Sequence, residues 1–158
     1  MKPFLSFTLL ACAVVGLVCA APPADAPAPT PLPGPPPTDV VFFGHDQVHQ
    51  AFWPGGALLV NERYKVLCGR RVIPGSVEIH TSDTDVFYIL DGSATFVTGG
   101  TAVDQKTTAP GEIRAKSITG GTEHQLTKGD VIVIPRGIPH QFTAVSGPFL
   151  YFVVKVTQ

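Results

Sequence analysis

The chain predicts an all-β fold, a sandwich or double-sheet barrel with one short helix ahead of it. Three observations lead there. From residue 58 onward, short runs rich in Val, Ile, Phe and Tyr follow one another. Turn-forming residues separate them: Pro74-Gly75, Asp91-Gly92, Gly99-Gly100, Gly120-Gly121, Lys128-Gly129-Asp130 and Ser146-Gly147-Pro148. No helix-period segment alternates with these runs, so the parallel sheet of an α/β protein is excluded.

The elements follow in chain order. Met1 to Ala20 reads as a secretory signal peptide: Lys2 gives the positive start, Phe4 to Val18 is almost wholly apolar, and Val18-Cys19-Ala20 offers small residues for cleavage. The apolar run is short for a bilayer span of about 20 residues. If retained, it is an N-terminal anchor; if cleaved, no membrane span remains and the protein is secreted or periplasmic. Residues 21–38 form an Ala/Pro-rich linker, ending Pro31-Leu32-Pro33-Gly34-Pro35-Pro36-Pro37. Proline fixes φ and donates no hydrogen bond, so an extended, solvated spacer is expected. Residues 39–158 make up the folded domain.

Within that domain a short helix is expected from Asp46 to Phe52, with Asp46 as cap and Val48, Ala51 and Phe52 on one side. The strands expected after it are Leu58 to Val66, Ser76 to His80, Val86 to Leu90, Ala94 to Thr98, Val131 to Ile134, Gln141 to Val145 and Phe149 to Val156. Several are apolar on both faces; Phe149 to Val154 has no polar residue. A strand with one wet face would alternate. The outer face is therefore covered, by the helix or by a second subunit, and a homodimer is expected.

Composition narrows the partners. With 158 residues, 44% hydrophobic and 15% charged, the chain builds one domain with a packed core. Loss of residues 1–20 removes Lys2 and no acid, leaving a net charge of about −2. No basic stripe is present, which excludes nucleic acid and anionic membrane as partners. Cys12 and Cys19 lie in the signal, so Cys68 has no partner for a disulfide and reads as a buried small hydrophobe.

The chemistry concentrates in two blocks. Glu78 and His80 are two apart, so in a strand they point the same way, while Val77 and Ile79 point the other. Burying a carboxylate and an imidazole on one inward face is costly unless they bind each other or a cation. Asp85 opens the next strand, and His140 follows the rigid turn Pro135-Arg136-Gly137-Ile138-Pro139. Glu78, His80, Asp85 and His140 are four nitrogen and oxygen ligands without sulfur, suited to one divalent Fe, Mn, Ni, Zn or Cu ion. Phe87, Ile89 and Phe142 share faces with these ligands and are expected to form an apolar pocket. Glu78 and His124 are the candidate catalytic residues for moving a proton; a packed wall position is the plainer role for His124. His45 and His49 read as surface residues. Residues 99–121 exceed what a tight hairpin needs and form either a rim over the site or an extra hairpin.

The two blocks resemble the paired motifs of the cupin superfamily. The first family motif is Gly, five residues, His-x-His, three or four residues, Glu, six residues, Gly; the second is Gly, five residues, Pro-x-Gly, two residues, His, three residues, Asn. Gly92, Gly129, Pro135, Gly137 and His140 fall in register, and His80 takes the second histidine position. Glu78 stands where the first histidine is usual, Asp85 replaces the glutamate, and Ala144 the asparagine. The segment from Asp83 to Gly92 is especially similar to single-domain, conserved-barrel members. The resemblance spans roughly residues 58–156 and implies a double-stranded β-helix, the cupin-type jelly-roll barrel. Together with the signal character of residues 1–20, which makes the domain an exported one, it implies binding of one divalent metal, with oxygenase, isomerase or lyase-type activity on a small organic substrate. The rival readings are a noncatalytic barrel for a small ligand or metal, and a structural dimeric β-domain. An open coordination position beside a roomy pocket favours the enzyme, and closure by four protein ligands favours the others.

Overall fold

The computed structural model describes residues 33–53 and 55–158. The expected signal peptide and residues 21–32 of the linker lie outside the described residues. The end of that linker is not a free spacer: Gly34 forms a parallel bridge with Asn61, and its carbonyl accepts from the Glu62 amide at 3.0 Å. Among the described residues, no helix is long and apolar enough to cross a membrane.

Helix α1 spans His45–Ala51. Its N-cap is Gly44, not Asp46; the Gly44 amide donates to Gln47 Oε1 at 3.0 Å, and Asp46 sits in the first turn. There a negative charge still favours the positive end of the helix dipole. Just past the helix, the Phe52 ring meets Phe152 edge-on, with centroids 5.2 Å apart.

Eleven strands follow: β1 Gly56–Val60, β2 Tyr64–Arg71, β3 Val77–His80, β4 Asp83–Thr98, β5 Thr101–Val103, β6 Lys106–Ala109, β7 Glu112–Ala115, β8 Ser117–Thr119, β9 Thr122–Thr127, β10 Val131–Ile134 and β11 His140–Thr157. The all-β expectation holds. The strand expected from Leu58 to Val66 is two strands, because the Asn61 side chain accepts from the Arg63 and Tyr64 amides and tightens a turn between them.

Two further expected breaks are bridged. Val86 to Leu90 and Ala94 to Thr98 belong to the single strand β4, and Gln141 to Val145 and Phe149 to Val156 to β11. Asp91-Gly92 and Ser146-Gly147-Pro148 act as bulges where two long strands bend together, not as turns: the β4–β11 register shifts between Ser146 and Leu150. Gly92 has φ +78°, and a Cβ there would lie 2.6 Å from the Pro148 carbonyl oxygen, so only glycine fits the bend.

Because β4 and β11 pass through both layers, the sheet rolls into a barrel. One layer runs β1-β2-β11-β4-β10, and the other β6-β7-β3-β11-β4-β9. The core between them is aromatic: Phe87, Phe96, Phe142, Phe149 and Tyr151 are buried together, with Phe96 and Phe142 only 4.4 Å apart. A smaller cluster of Val77, Ile79, Ala102 and Ala115 packs on the outer side of β3. Residues 101–119 supply that cover, so β3 can turn Glu78 and His80 inward. The other outer face is only partly covered. Tyr88, Val131 and Val133 remain 47%, 61% and 55% exposed, and Tyr88 pairs directly with Val131 across β4 and β10.

Candidate metal centre

Strand register assembles the site. His140 pairs with Glu78 where β11 meets β3, so the start of β11 faces the inward side chains of β3. The hairpin partner β7 sets Arg114 opposite Glu78 and Glu112 opposite His80. Cross-strand neighbours of opposite charge attract at that spacing. A 2.7 Å bond from the Gly137 amide to the His80 carbonyl holds the Pro-Arg-Gly turn beside β3, and this aims His140 inward.

Glu78, His80 and His140 each offer one ligand-type atom, and these atoms lie within 4.8 Å of one another. Both histidines are buried. The His140 Nδ1 lies 3.0 Å from the Ile138 carbonyl oxygen, which can only accept, so Nδ1 carries the proton and Nε2 presents its lone pair. Burial depresses the His140 pKa and keeps the ring neutral. His80 has Nδ1 3.0 Å from Glu112 Oε1, while its buried Nε2 has no hydrogen-bond partner among the described residues. Burial opposes a charge on His80, but the hydrogen bond to Glu112 and the Glu78 and Asp85 carboxylates, 3.6 and 3.5 Å from Nε2, outweigh it and raise its pKa to about 9. Burial likewise opposes ionisation of Glu78; the His80 ring 3.6 Å away and the Arg114 charge outweigh it and lower the pKa to about 2.

Asp85, expected as the fourth ligand, stands outside that trio. It is buried, its Oδ2 is 3.5 Å from His80 Nε2, and Lys155 Nζ holds that same oxygen at 2.6 Å. The register Lys155↔Asp85 fixes this ion pair. Its Oδ1 is a second buried atom without a partner. A metal fits the trio well, since two imidazole nitrogens and a carboxylate converge with one nitrogen unsatisfied. It fits Asp85 less well, because an ammonium already answers that charge.

The other expected residues divide. Phe87 and Phe142 line a cavity of about 740 Å³ that opens onto Glu78, His80, Asp85 and His140. Ile89 does not; it is fully buried in the aromatic core. His124 does not line the cavity; it hydrogen-bonds Thr98 Oγ1 at 2.9 Å across the β4–β9 pair. Residues 99–121 are ordered hairpins, and their tip brings Thr108, Ala109 and Pro110 to the cavity rim. Sequence reasoning missed Glu112, Arg114, Lys155 and Arg71. The signal was present as complementary strands: Glu78-Ile79-His80 runs antiparallel to Glu112-Ile113-Arg114, pairing acid with base at both inward positions.

With this geometry in place, known proteins give it a family. The sequence profile described as Cupin matches residues 74–158, more than half the chain. The chain belongs to the cupin family. No curated protein matches it. Among solved structures, the cupin barrel is similar to Peruvianin-I, a cysteine peptidase from Thevetia peruviana latex, at 11% identity, TM-score 0.41, over 60% of this chain and 51% of that one. It is similar to procruciferin, an 11S globulin from Brassica napus, at 20% identity, TM-score 0.44, over 60% of this chain and 21% of that one. It is also similar to a conserved protein with a double-stranded β-helix domain from Klebsiella pneumoniae, at 14% identity, TM-score 0.46, over 65% and 74% of the two chains. The chain thus spans about half of Peruvianin-I and about a fifth of procruciferin. These likenesses are of overall shape, and the cupin assignment rests on the sequence match and the barrel topology.

Proposed function

We propose that this cupin binds one divalent transition metal through Glu78, His80 and His140, beside a cavity that admits a small organic ligand. The observation that carries the reading is the His80 Nε2: a buried nitrogen without a partner, facing a second nitrogen and a carboxylate. Such an atom costs about 1–3 kcal/mol if nothing satisfies it. Glu112, on the far ring nitrogen, orients His80 as carboxylates behind metal-bound histidines do. A bound ion would supply a Lewis acid. Three protein ligands leave coordination positions toward the cavity, which favours an enzyme of oxygenase, isomerase or lyase type over a closed structural site. The noncatalytic barrel differs only in lacking turnover.

Elemental analysis of protein purified without added metal tests this. Near-stoichiometric metal is expected in the wild type, and background levels in the double variant His80→Ala, His140→Ala with its circular dichroism unchanged. Equal metal in both proteins sinks the reading. Export is proposed on the character of residues 1–20, and N-terminal sequencing should find a mature start near Ala21. A homodimer through the exposed Tyr88, Val131 and Val133 face is supported by that apolar surface; a monomer by light scattering argues against it.

A further inference from the structure

We propose that the cavity takes a small organic carboxylate with a flat apolar body, its carboxylate gripped by the Arg71 guanidinium and its body laid against the Tyr151, Phe87 and Phe142 rings. The proposal deepens the small-molecule reading above and shares its cavity, but Arg71 is not among the proposed metal ligands. Four basic side chains line that cavity: Lys65, Arg71, Arg114 and Lys155. Three are answered within the protein. Lys65 bonds Asp83 at 2.7 Å, Lys155 bonds Asp85 at 2.6 Å, and Arg114 bonds Glu112 at 3.1 Å.

Arg71 is not. Its carboxylate neighbour, Glu78, stands 3.8 Å from Nη2, outside hydrogen-bond range. Its Nε is buried with no partner among the described residues. A guanidinium carries five donors in a planar fork, and leaving the buried Nε unmade in a side chain only 23% exposed is unfavourable. The fold nevertheless holds the group in place. Arg71 Cζ lies over the Phe142 ring at 4.8 Å. Gly75 keeps the space beside it, since a Cβ there would meet Nη1 at 2.4 Å. A positioned fork with an unmade donor and no carboxylate in hydrogen-bond range, beside an open cavity, is what a ligand carboxylate would complete with two parallel hydrogen bonds.

The apolar half of the ligand follows from the rings beside that fork. Phe87 and Tyr151 have centroids 5.1 Å apart, and Tyr151 and Phe142 5.5 Å. Burial raises the Tyr151 pKa, so the phenol stays neutral and adds no competing charge. Flat rings accept a flat partner by offset stacking.

Benzoate is the probe, titrated by calorimetry into the purified protein, both chelator-treated and zinc-loaded. Saturable binding is expected in at least one form, with benzamide, of equal shape and no charge, weaker by roughly tenfold or more. That comparison needs no variant. Arg71→Met should lose roughly tenfold to a hundredfold in benzoate affinity, and Arg71→Lys should fall between. The proposal is overturned if benzoate shows no saturable binding in either form, if benzamide binds as well, or if Arg71→Met binds benzoate like wild type. Failure to take up zinc while benzoate is still preferred over benzamide would sink the metal reading and leave this one standing. Zinc uptake at the trio without that preference does the reverse.

Discussion

Two acidic corners of one cavity, a few ångströms apart, are handled in opposite ways. At Asp85 the charge is met by Lys155 Nζ at 2.6 Å on the neighbouring strand. At Glu78 the two guanidinium partners stand off at 3.6 and 3.8 Å, and two histidine nitrogens face in. Both corners descend from positions where the cupin motifs place ligands. The difference teaches that motif register does not decide what a carboxylate does; the residue opposite it in the sheet does. Lysine opposite Asp85 makes an internal ion pair. His140 opposite Glu78 makes a cluster with room for a cation.

The comparison can be broken most forcibly at Lys155. Lys155→Met removes the hydrogen-bonded ammonium from buried Asp85, leaving only His80 at 3.5 Å, and should cost about 3–5 kcal/mol of unfolding free energy in chelator-treated protein. Adding Asp85→Leu to Lys155→Met should recover most of that loss, because the pair's desolvation is removed with its attraction. Urea melts of the four proteins measure it, and a single variant as stable as wild type shows that the corner is not a closed pair.

The other corner is probed through the residue that orients His80. Glu112→Gln keeps the shape and removes the charge behind Nδ1, and roughly 10–100-fold in zinc affinity should go with it. Unchanged affinity in a competition titration means Glu112 is only a rim residue.

Acidity separates the two ions of the open corner. His80 is raised from 6.5 to about 9, so the stability it contributes is full below about 6.5 and lost as pH climbs through about 9. Glu78 is lowered from 4.5 to about 2, so its contribution is present above about 4.5 and lost as pH falls toward about 2. The two stand 3.6 Å apart and titrate as a pair. Melting temperatures of chelator-treated protein should therefore peak between about 4.5 and 6.5. A curve that rises from pH 7 to 9 contradicts the picture.

The smallest effect is expected at Gly75. Gly75→Ala pushes only the far end of Arg71, so stability should change by less than about 1 kcal/mol. Benzoate binding should still weaken, because the fork is displaced from its place over Phe142. If affinity is unmoved, Arg71 has no fixed post.

How far the sequence alone reached depends on the kind of information. Strand identity was legible because the β-branched and aromatic runs are strong, and Val131–Ile134 falls on its expected bounds. Glu78, His80 and His140 were legible from a period of two and a rigid turn. Strand continuity was not: Asp91-Gly92 and Ser146-Gly147-Pro148 have turn composition, and only the partner strand reveals that they are bulges. The fate of Asp85 was hidden for a related reason. Lys155 lies 70 positions away in the chain, and its place opposite Asp85 follows from register, which local pattern does not set. Ile89 shared a face with Asp85 as expected, yet lies too deep in the core to touch the cavity.

The two strands that run through both layers also set when the cavity can exist. Thr98 pairs with His140 and Thr84 with Val156, so every rung of that ribbon closes a long loop. Loops of this kind must lose their entropy before any contact rewards them, which places such barrels among the slow folders, at milliseconds to seconds. A nascent chain that has reached residue 139 already holds Glu78, His80 and Asp85, but has neither the strand that carries His140 nor the ammonium that quiets Asp85. Until the last strand docks, the cavity lacks the wall that carries His140, Phe142, Tyr151 and Lys155.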